Sequence, residues 1–589
     1  MVHQKNDSKD RSKRGLCFSF VLTAVFCSAL PLWTYAQDSR DTTKAKTLQE
    51  VLITAKREAI MSGAKLQPID SATLELYPTD NLFGILSRES FAYIRTYGPS
   101  GLSTPTFRGT GGSQTAILWN GVNLQSPMNG SVDFTLMPMA FVDELNVQYG
   151  GESALMSSGS MGGALHMHTQ KPKKTGLSGS LSSEIGDWAT RNHTVKLGWK
   201  KKQFSGKVSG LWNQAENNFA FANTFKKGQP IEERKHAGIR QKGILWENHL
   251  DLSSKSLLSL RLWHQDNHVE IPAVSSSSQA SQATQQDKFT RAMLDMEHHG
   301  KWQHHWKATL LHHELTYRNP VIGTESNSRA WQHIHQWEVK TLLSKRIVLQ
   351  GGLHHNFEWA KVQNYGESRA QRHRWDLFSA LRWVDAKERL EVNLNLRQAL
   401  NGGNRSPFLP GINAKYPIHR AFHLRGSLSK TYRIPTFNDL FWRGSDAMGN
   451  PDLLEEEGVS ADLGIESRRP LRITKRLSWS ASMTVFSNRS KNWITWQTTE
   501  SGVWTPKNKE EVHAQGIESS MKLHQQLGKW SLHAKFGHTL TEALIVSSNN
   551  PNELNKALTY TPKHLGRASI GLQGHGFLLY YNHVINGQQ

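Results

Sequence analysis

From about residue 175 onward the chain alternates apolar and polar residues with a period of two, in runs separated by polar stretches. No other feature limits its fold as sharply. In Leu390-Glu391-Val392-Asn393-Leu394-Asn395-Leu396-Arg397 the four odd members are apolar and the four even members polar. Successive side chains of a strand point to opposite faces, so this run predicts a strand with one apolar face. Val195/Leu197/Trp199, Leu258/Leu260/Leu262 and Ala481/Met483/Val485 repeat the pattern. Two architectures fit it: a soluble antiparallel sheet with its polar face in water, and a barrel with its apolar face in lipid.

Composition permits either. Hydrophobic residues make up only 37% and no run after residue 40 approaches the roughly 18 apolar residues of a spanning helix. A barrel escapes that test because lipid-facing and lumen-facing residues alternate. The connections favour the barrel. Long polar segments at about 213–243, 264–290, 430–458, 497–515 and 541–563 contrast with tight turns such as Gly300-Lys301. Closure removes the edges of such a sheet, whose unpaired backbone groups would be costly in lipid.

Residues 104–169 carry two blocks in order. The first is Phe107-Arg108-Gly109, a polar turn, the apolar run Ala116-Ile117-Leu118-Trp119, then Asn120-Gly121. The second is Val142-Asp143-Glu144-Leu145-Asn146-Val147, Ser153-Ala154-Leu155 and Gly159-Ser160-Met161-Gly162-Gly163-Ala164-Leu165. Together they resemble the plug domain of TonB-dependent outer-membrane receptors. Ser429–Leu440, with Arg433-Ile434-Pro435-Thr436, and Gly449-Asn450-Pro451-Asp452-Leu453 resemble barrel elements of the same family. The resemblance implies an all-β transmembrane protein: an antiparallel outer-membrane barrel of about 22 strands around a small α/β plug. It places the plug at 66–170 and the barrel at 171–589. Barrels of this kind finish on a strand with a terminal aromatic residue, whereas this chain reads Asn586-Gly587-Gln588-Gln589. With 419 residues after position 170, the expectation is a barrel lacking its last two or three strands.

The first 36 residues read as a signal peptide. Lys9, Arg11, Lys13 and Arg14 precede an apolar stretch from Leu16 to Leu32, and Thr34-Tyr35-Ala36 supplies a small-residue cleavage site. Both cysteines, Cys17 and Cys27, lie within it, so the exported chain offers no disulfide and no thiolate. A periplasmic tether at 37–65 follows. Within it Glu50-Val51-Leu52-Ile53-Thr54-Ala55 resembles a TonB box, an extended β-branched segment able to add as an edge strand to a partner's sheet.

The resemblance also assigns roles inside the plug. Two loops, Tyr97-Gly98-Pro99-Ser100-Gly101 and Gln125-Ser126-Pro127-Met128-Asn129-Gly130-Ser131, rise toward the extracellular side. Tyr97, Gly98, Pro99, Ser100, Gly101, Gln125, Ser126, Met128, Asn129 and Ser131 are therefore expected to touch ligand. Arg108 is expected to be buried and paired with acidic groups where plug meets wall, since a buried guanidinium alone is costly. The family's second arginine is replaced by Tyr149. Short helix character at 79–86 would be capped by Thr79 or Asp80.

Net charge is +21, and about +18 after residues 1–36 are removed with their five Lys/Arg and two Asp/Glu. The basic residues are scattered through strands with no basic helix or RNP-type motif, which speaks against nucleic acid. No G-x-S-x-G, H-E-x-x-H or Walker pattern occurs, so no enzyme is expected. The 28 histidines include pairs such as His298-His299 and His354-His355, which a strand sends to opposite faces. No metal or other cofactor is expected. Haem receptors that resemble this family place a histidine between the Arg-x-Pro and Asn-Pro elements; residues 436–449 hold none, so the resemblance implies a ligand other than haem. The string from Trp119 through Gly130 with Tyr149-Gly150-Gly151 resembles the cobalamin branch most. The function implied is TonB-dependent uptake of a scarce, bulky nutrient, a corrinoid before a ferric siderophore. A non-transporting surface barrel or a truncated remnant is the reading from another class. Expected partners are TonB with its inner-membrane complex, outer-membrane lipid, the small ligand and a surface lipoprotein, around a monomer in the outer membrane.

Overall fold

The computed structural model describes residues 63–587 apart from 278, 367–368, 468–470, 475 and 549–550. The leader and residues 50–55 lie outside the described residues. Nineteen long strands, from Gly176–Gly186 to Phe577–Asn586, follow one another in chain order, each antiparallel to the next. They curl into a barrel.

Burial along the strands is inverted relative to a soluble sheet. In the strand Glu391–Asn401, Asn393, Asn395 and Arg397 are buried, while Leu394 is 42% exposed on the outside. The polar face thus meets the plug and the apolar face meets the surroundings, which is the arrangement a lipid solvent demands. That inversion decides between the two architectures the alternation allowed.

Connections on one side are tight, at 202–203, 254–255, 300–301 and 345–346, and on the other run to 216–238 and 434–455. The strands reach further than the sequence suggests. The polar stretch 264–290 is mostly strand, with only 272–282 connecting Ser256–Ile271 to Ala283–His299. Strand tops that stand above the lipid face water on the outside as well. Residues such as His264 and Asp266 therefore lose the apolar half of the alternation.

The plug is a mixed five-stranded sheet in the order Lys65–Ile69, Glu144–Tyr149, Gly163–His168, Thr115–Trp119, Val122–Asn123, with only the third and fourth strands parallel. Thr115–Trp119 is buried at every position, as its unbroken apolar run requires. The helix Leu82–Glu89 starts one residue later than expected. Its cap is Asn81, whose side chain accepts from the Gly84 amide at 3.0 Å. Trp119 and Phe141 of the plug meet Trp263 of the wall edge-on, each at 5.4 Å between centroids, and join both domains in one apolar core.

The first and last barrel strands fall side by side in the ring. Their outward side chains are the most exposed of the wall: Leu177 and Ile185 at 81%, Phe577 and Leu579 at 72%. Among the described residues nineteen long strands make the ring, where the resemblance implies about 22.

Candidate functional site

Arg108 turns the chain in the left-handed region (φ 46°) and Gly109 follows at φ 81°. A Cβ on Gly109 would lie 2.6 Å from the Ala514 Cβ, so only glycine lets the plug approach the wall here. The Arg108 side chain is then delivered to two wall carboxylates. It donates from Nε and Nη2 to Glu518 at 3.0 and 2.9 Å, and from Nη1 to Asp462 at 3.0 Å. Such a forked pair satisfies the guanidinium in a desolvated setting. Lys65 Nζ reaches the same Glu518 at 2.7 Å. Burial, opposed by Glu518, lowers the Lys65 ammonium to about 8. Tyr149, where a second arginine would stand, packs beneath Lys65 and hydrogen-bonds through its hydroxyl to Gln67 and the Phe91 amide. The plug's second cation at this junction is therefore Lys65, while the wall adds Arg425, which donates to Asp462 at 2.8 Å. Sequence reasoning missed Lys65 because it lies outside the motif, at the start of an edge strand. This constellation holds plug to barrel and lies apart from the plug loops.

Both plug loops face a cavity of about 490 Å³ bounded by the wall strands between 256 and 344. Of the expected contacts, Tyr97, Ser100, Gly101, Ser126, Asn129 and Ser131 line it. Its surface is largely apolar, with Leu124, Val132 and Met137 from the plug facing Ile271, Phe289 and Leu311 from the wall. A large apolar hollow with a few convergent polar groups is the usual form of a small-molecule site. The wall side, including Asp287, Arg291 and His313, was missed from sequence. Inward residues of distant strands converge only through register, which no spacing encodes.

The expected contacts differ in what they have left to offer. Asn129 is exposed, and its Oδ1 accepts the Ser131 amide at 3.2 Å. Tyr97 is 55% exposed. Ser100 is buried and latched to a barrel loop, donating to the Ala237 carbonyl at 2.5 Å. Gln125 holds its own loop: Nε2 donates to the Gly130 and Ser113 carbonyls at 2.7 and 3.1 Å, and Oε1 accepts from Asn123. Met128 is buried with Ala330, Tyr365 and Phe437 and does not line the hollow. Gly98 and Pro99 do not line it. The loop is also clasped from outside. The helix Phe437–Phe441 sets the Phe437 and Asn438 amides on the Pro127 and Met128 carbonyls at 2.8 and 2.9 Å.

Beside this hollow, around Gln125 and Ser157, lies a smaller cavity of about 90 Å³ whose wall side is crowded with charge. Arg372 pairs with Glu358 at 2.6 Å and Arg397 with Asp376 at 3.2 Å. Asp376 also accepts from Ser157, and Arg397 donates to the Ala154 carbonyl at 2.8 Å. Among the described residues one group, Asp295, Glu297 and His305, brings three metal-ligand atoms within 4.8 Å. Asp295 is already paired with Arg261 at 3.2 Å and His305 at 2.7 Å, so the cluster is charge-compensated from within. Sequence-adjacent histidines split between faces: His354 turns to Glu338, and His355 to His373 at 3.1 Å.

Comparison with known proteins matches two family models. The TonB-dependent receptor plug domain covers residues 60–164, and the TonB dependent receptor-like β-barrel covers 171–588. Similar relatives include proteins named vitamin B12 transporter BtuB. That of Vibrio vulnificus is 22% identical over 506 residues, covering 81% of this chain and 76% of that protein. That of Photobacterium profundum is 22% identical over 435 residues, covering 72% and 67%. Among solved structures, the siderophore receptor PirA from Acinetobacter baumannii superposes with a TM-score of 0.70 at 15% identity, covering 88% of this chain and 85% of that one. The FrpB iron transporter from Neisseria meningitidis gives 0.72 at 14%, covering 88% and 86%. At such identities the solved structures speak for the fold alone.

Proposed function

Since this chain belongs to the TonB-dependent receptors of the outer membrane, we propose that the nutrient it takes up is a corrinoid of the cobalamin class, bound between the two plug loops and the wall. The hollow carries this reading. Its apolar walls suit the face of a large ring, and the side-chain amide of Asn129 and the hydroxyls of Ser131 and Tyr97 suit the ring's fringe of amides. The names of the curated relatives support the same class.

Uptake follows from the mechanics of the junction. Residues 50–55 act as the TonB box and add as a strand to the sheet of TonB. Tension then reaches Lys65, the first residue of the plug's edge strand, which is pinned to Glu518. Pulling loads that ion pair and peels Lys65–Ile69 from Glu144–Tyr149 before any other ladder is disturbed. Arg108 shares Glu518, so loss of Lys65 from the pair loosens the lock from which the plug hangs.

Calorimetric titration of the purified receptor with cobalamin, a ferric siderophore and haem tests the ligand. Cobalamin is expected to bind, and the double variant Tyr97→Ala/Asn129→Ala to weaken it by about 1–3 kcal/mol. Tight siderophore binding with no heat from cobalamin would overturn the assignment.

A further inference from the structure

Arg291, on the inward face of the strand Ala283–His299, lines the hollow and is buried. Its guanidinium lies over the rings of Trp263 and Phe289, 4.1 and 4.7 Å from their centroids. No described residue pairs with it, and Nη1 is enclosed without a hydrogen-bond partner. The acids four residues away on either side of it are engaged elsewhere. Asp287 accepts from His313 at 2.8 Å and Gln285 at 2.7 Å, and Asp295 from Arg261 and His305. Across the hollow, Asp133 accepts the Ser103 and Thr135 amides at 3.0 and 2.9 Å.

The other fully buried arginines between plug and wall are built differently, and half-buried Arg567, which faces no carboxylate among the described residues, is satisfied by the Ser90 and Ala92 carbonyls at 3.1 Å. Arg108, Arg397 and Arg433 each face a carboxylate within 3.2 Å. A buried guanidinium without counter-charge is unfavourable, and the two aromatic faces offset only part of the penalty. The fork of donors it presents matches an oxyanion better than any other ligand group.

We propose that Arg291 receives an oxyanion of the transported ligand, a phosphodiester or a carboxylate, and so favours members of the ligand class that carry such a group over those that lack it. The inference deepens the preceding assignment of the hollow and rests on it. Trp263 and Phe289 hold the guanidinium in place, so the charge is presented before the ligand arrives.

The test compares cobalamin, whose nucleotide loop carries a phosphodiester, with cobinamide, which lacks it. Arg291→Gln is expected to weaken cobalamin at least tenfold and cobinamide less than twofold. Equal losses on both, or no loss on cobalamin, would overturn the proposal. If the wild type binds neither corrinoid, the corrinoid assignment fails separately. The same comparison between an anionic ferric tricatecholate and an uncharged ferric trihydroxamate then decides on Arg291, and binding of none of the four contradicts both ideas. A ligand-free readout stands beside this. Arg291→Met should unfold at the same or a higher temperature than wild type, because it removes an uncompensated charge. A clearly lower midpoint would show the guanidinium to be a structural partner and would refute the role.

Discussion

Glu152 shows how finely single side chains set the contact between plug and wall. Its carboxylate is buried at the start of the short helix Ser153–Met156 and accepts from the amides of Asn395 and Asn413, each at 3.2 Å. Burial pushes the carboxyl up to about 7, against the pull of those two hydrogen bonds. The folded protein therefore holds this proton more tightly than the unfolded chain. Stability from Glu152 is full below about pH 4.5 and is lost as the pH rises through about 7. Glu152→Gln should leave stability at pH 5 nearly unchanged and raise it at pH 8, by on the order of 1–3 kcal/mol. Denaturant unfolding at both pH values checks this, and a variant weaker than wild type at pH 8 would contradict it. Arg108 could be picked out from its Arg-Gly motif together with the physics of a buried charge. Glu152 and Lys65 could not, because nothing in their own neighbourhoods marks the distant strands they meet.

At the scale of elements, strand identity was legible and strand extent was not. Alternation marks only the lipid-spanning part of a strand. Above it both faces are wet, so the tops of Ser256–Ile271 and Ala283–His299 read as loop. The plug loops were legible from Gly and Pro, but not which of their residues are free. Gln125 is consumed by its own turn and Met128 by the wall, while Asn129 remains presented. The two strands at the seam make their own prediction. Gly176–Gly186 and Phe577–Asn586 meet where the ring closes, and their outward side chains are the most exposed of the wall, so their ladder is the least covered. In detergent-solubilised protein, amide exchange over these strands should run well ahead of exchange in Trp302–Asn319. Equal protection would show the closure to be as stable as the rest of the wall.

The described fold is a wall turned inside out around a plug that is held by charge, and in the mechanism we propose that plug is loaded through its edge strand. Outer-membrane location and TonB coupling follow from the family, whose two domains span the described fold. We propose that pulling on residues 50–55 drives entry of a ligand already bound above the plug. Uptake of radiolabelled cobalamin by TonB-positive cells depending on this receptor measures it, with Ile53→Pro as the comparison. Proline removes an edge-strand donor without touching the hollow. Wild-type cells should accumulate the label, while Ile53→Pro cells hold it at the surface and accumulate none. Equal accumulation by both, or none by either despite surface binding, would contradict the account.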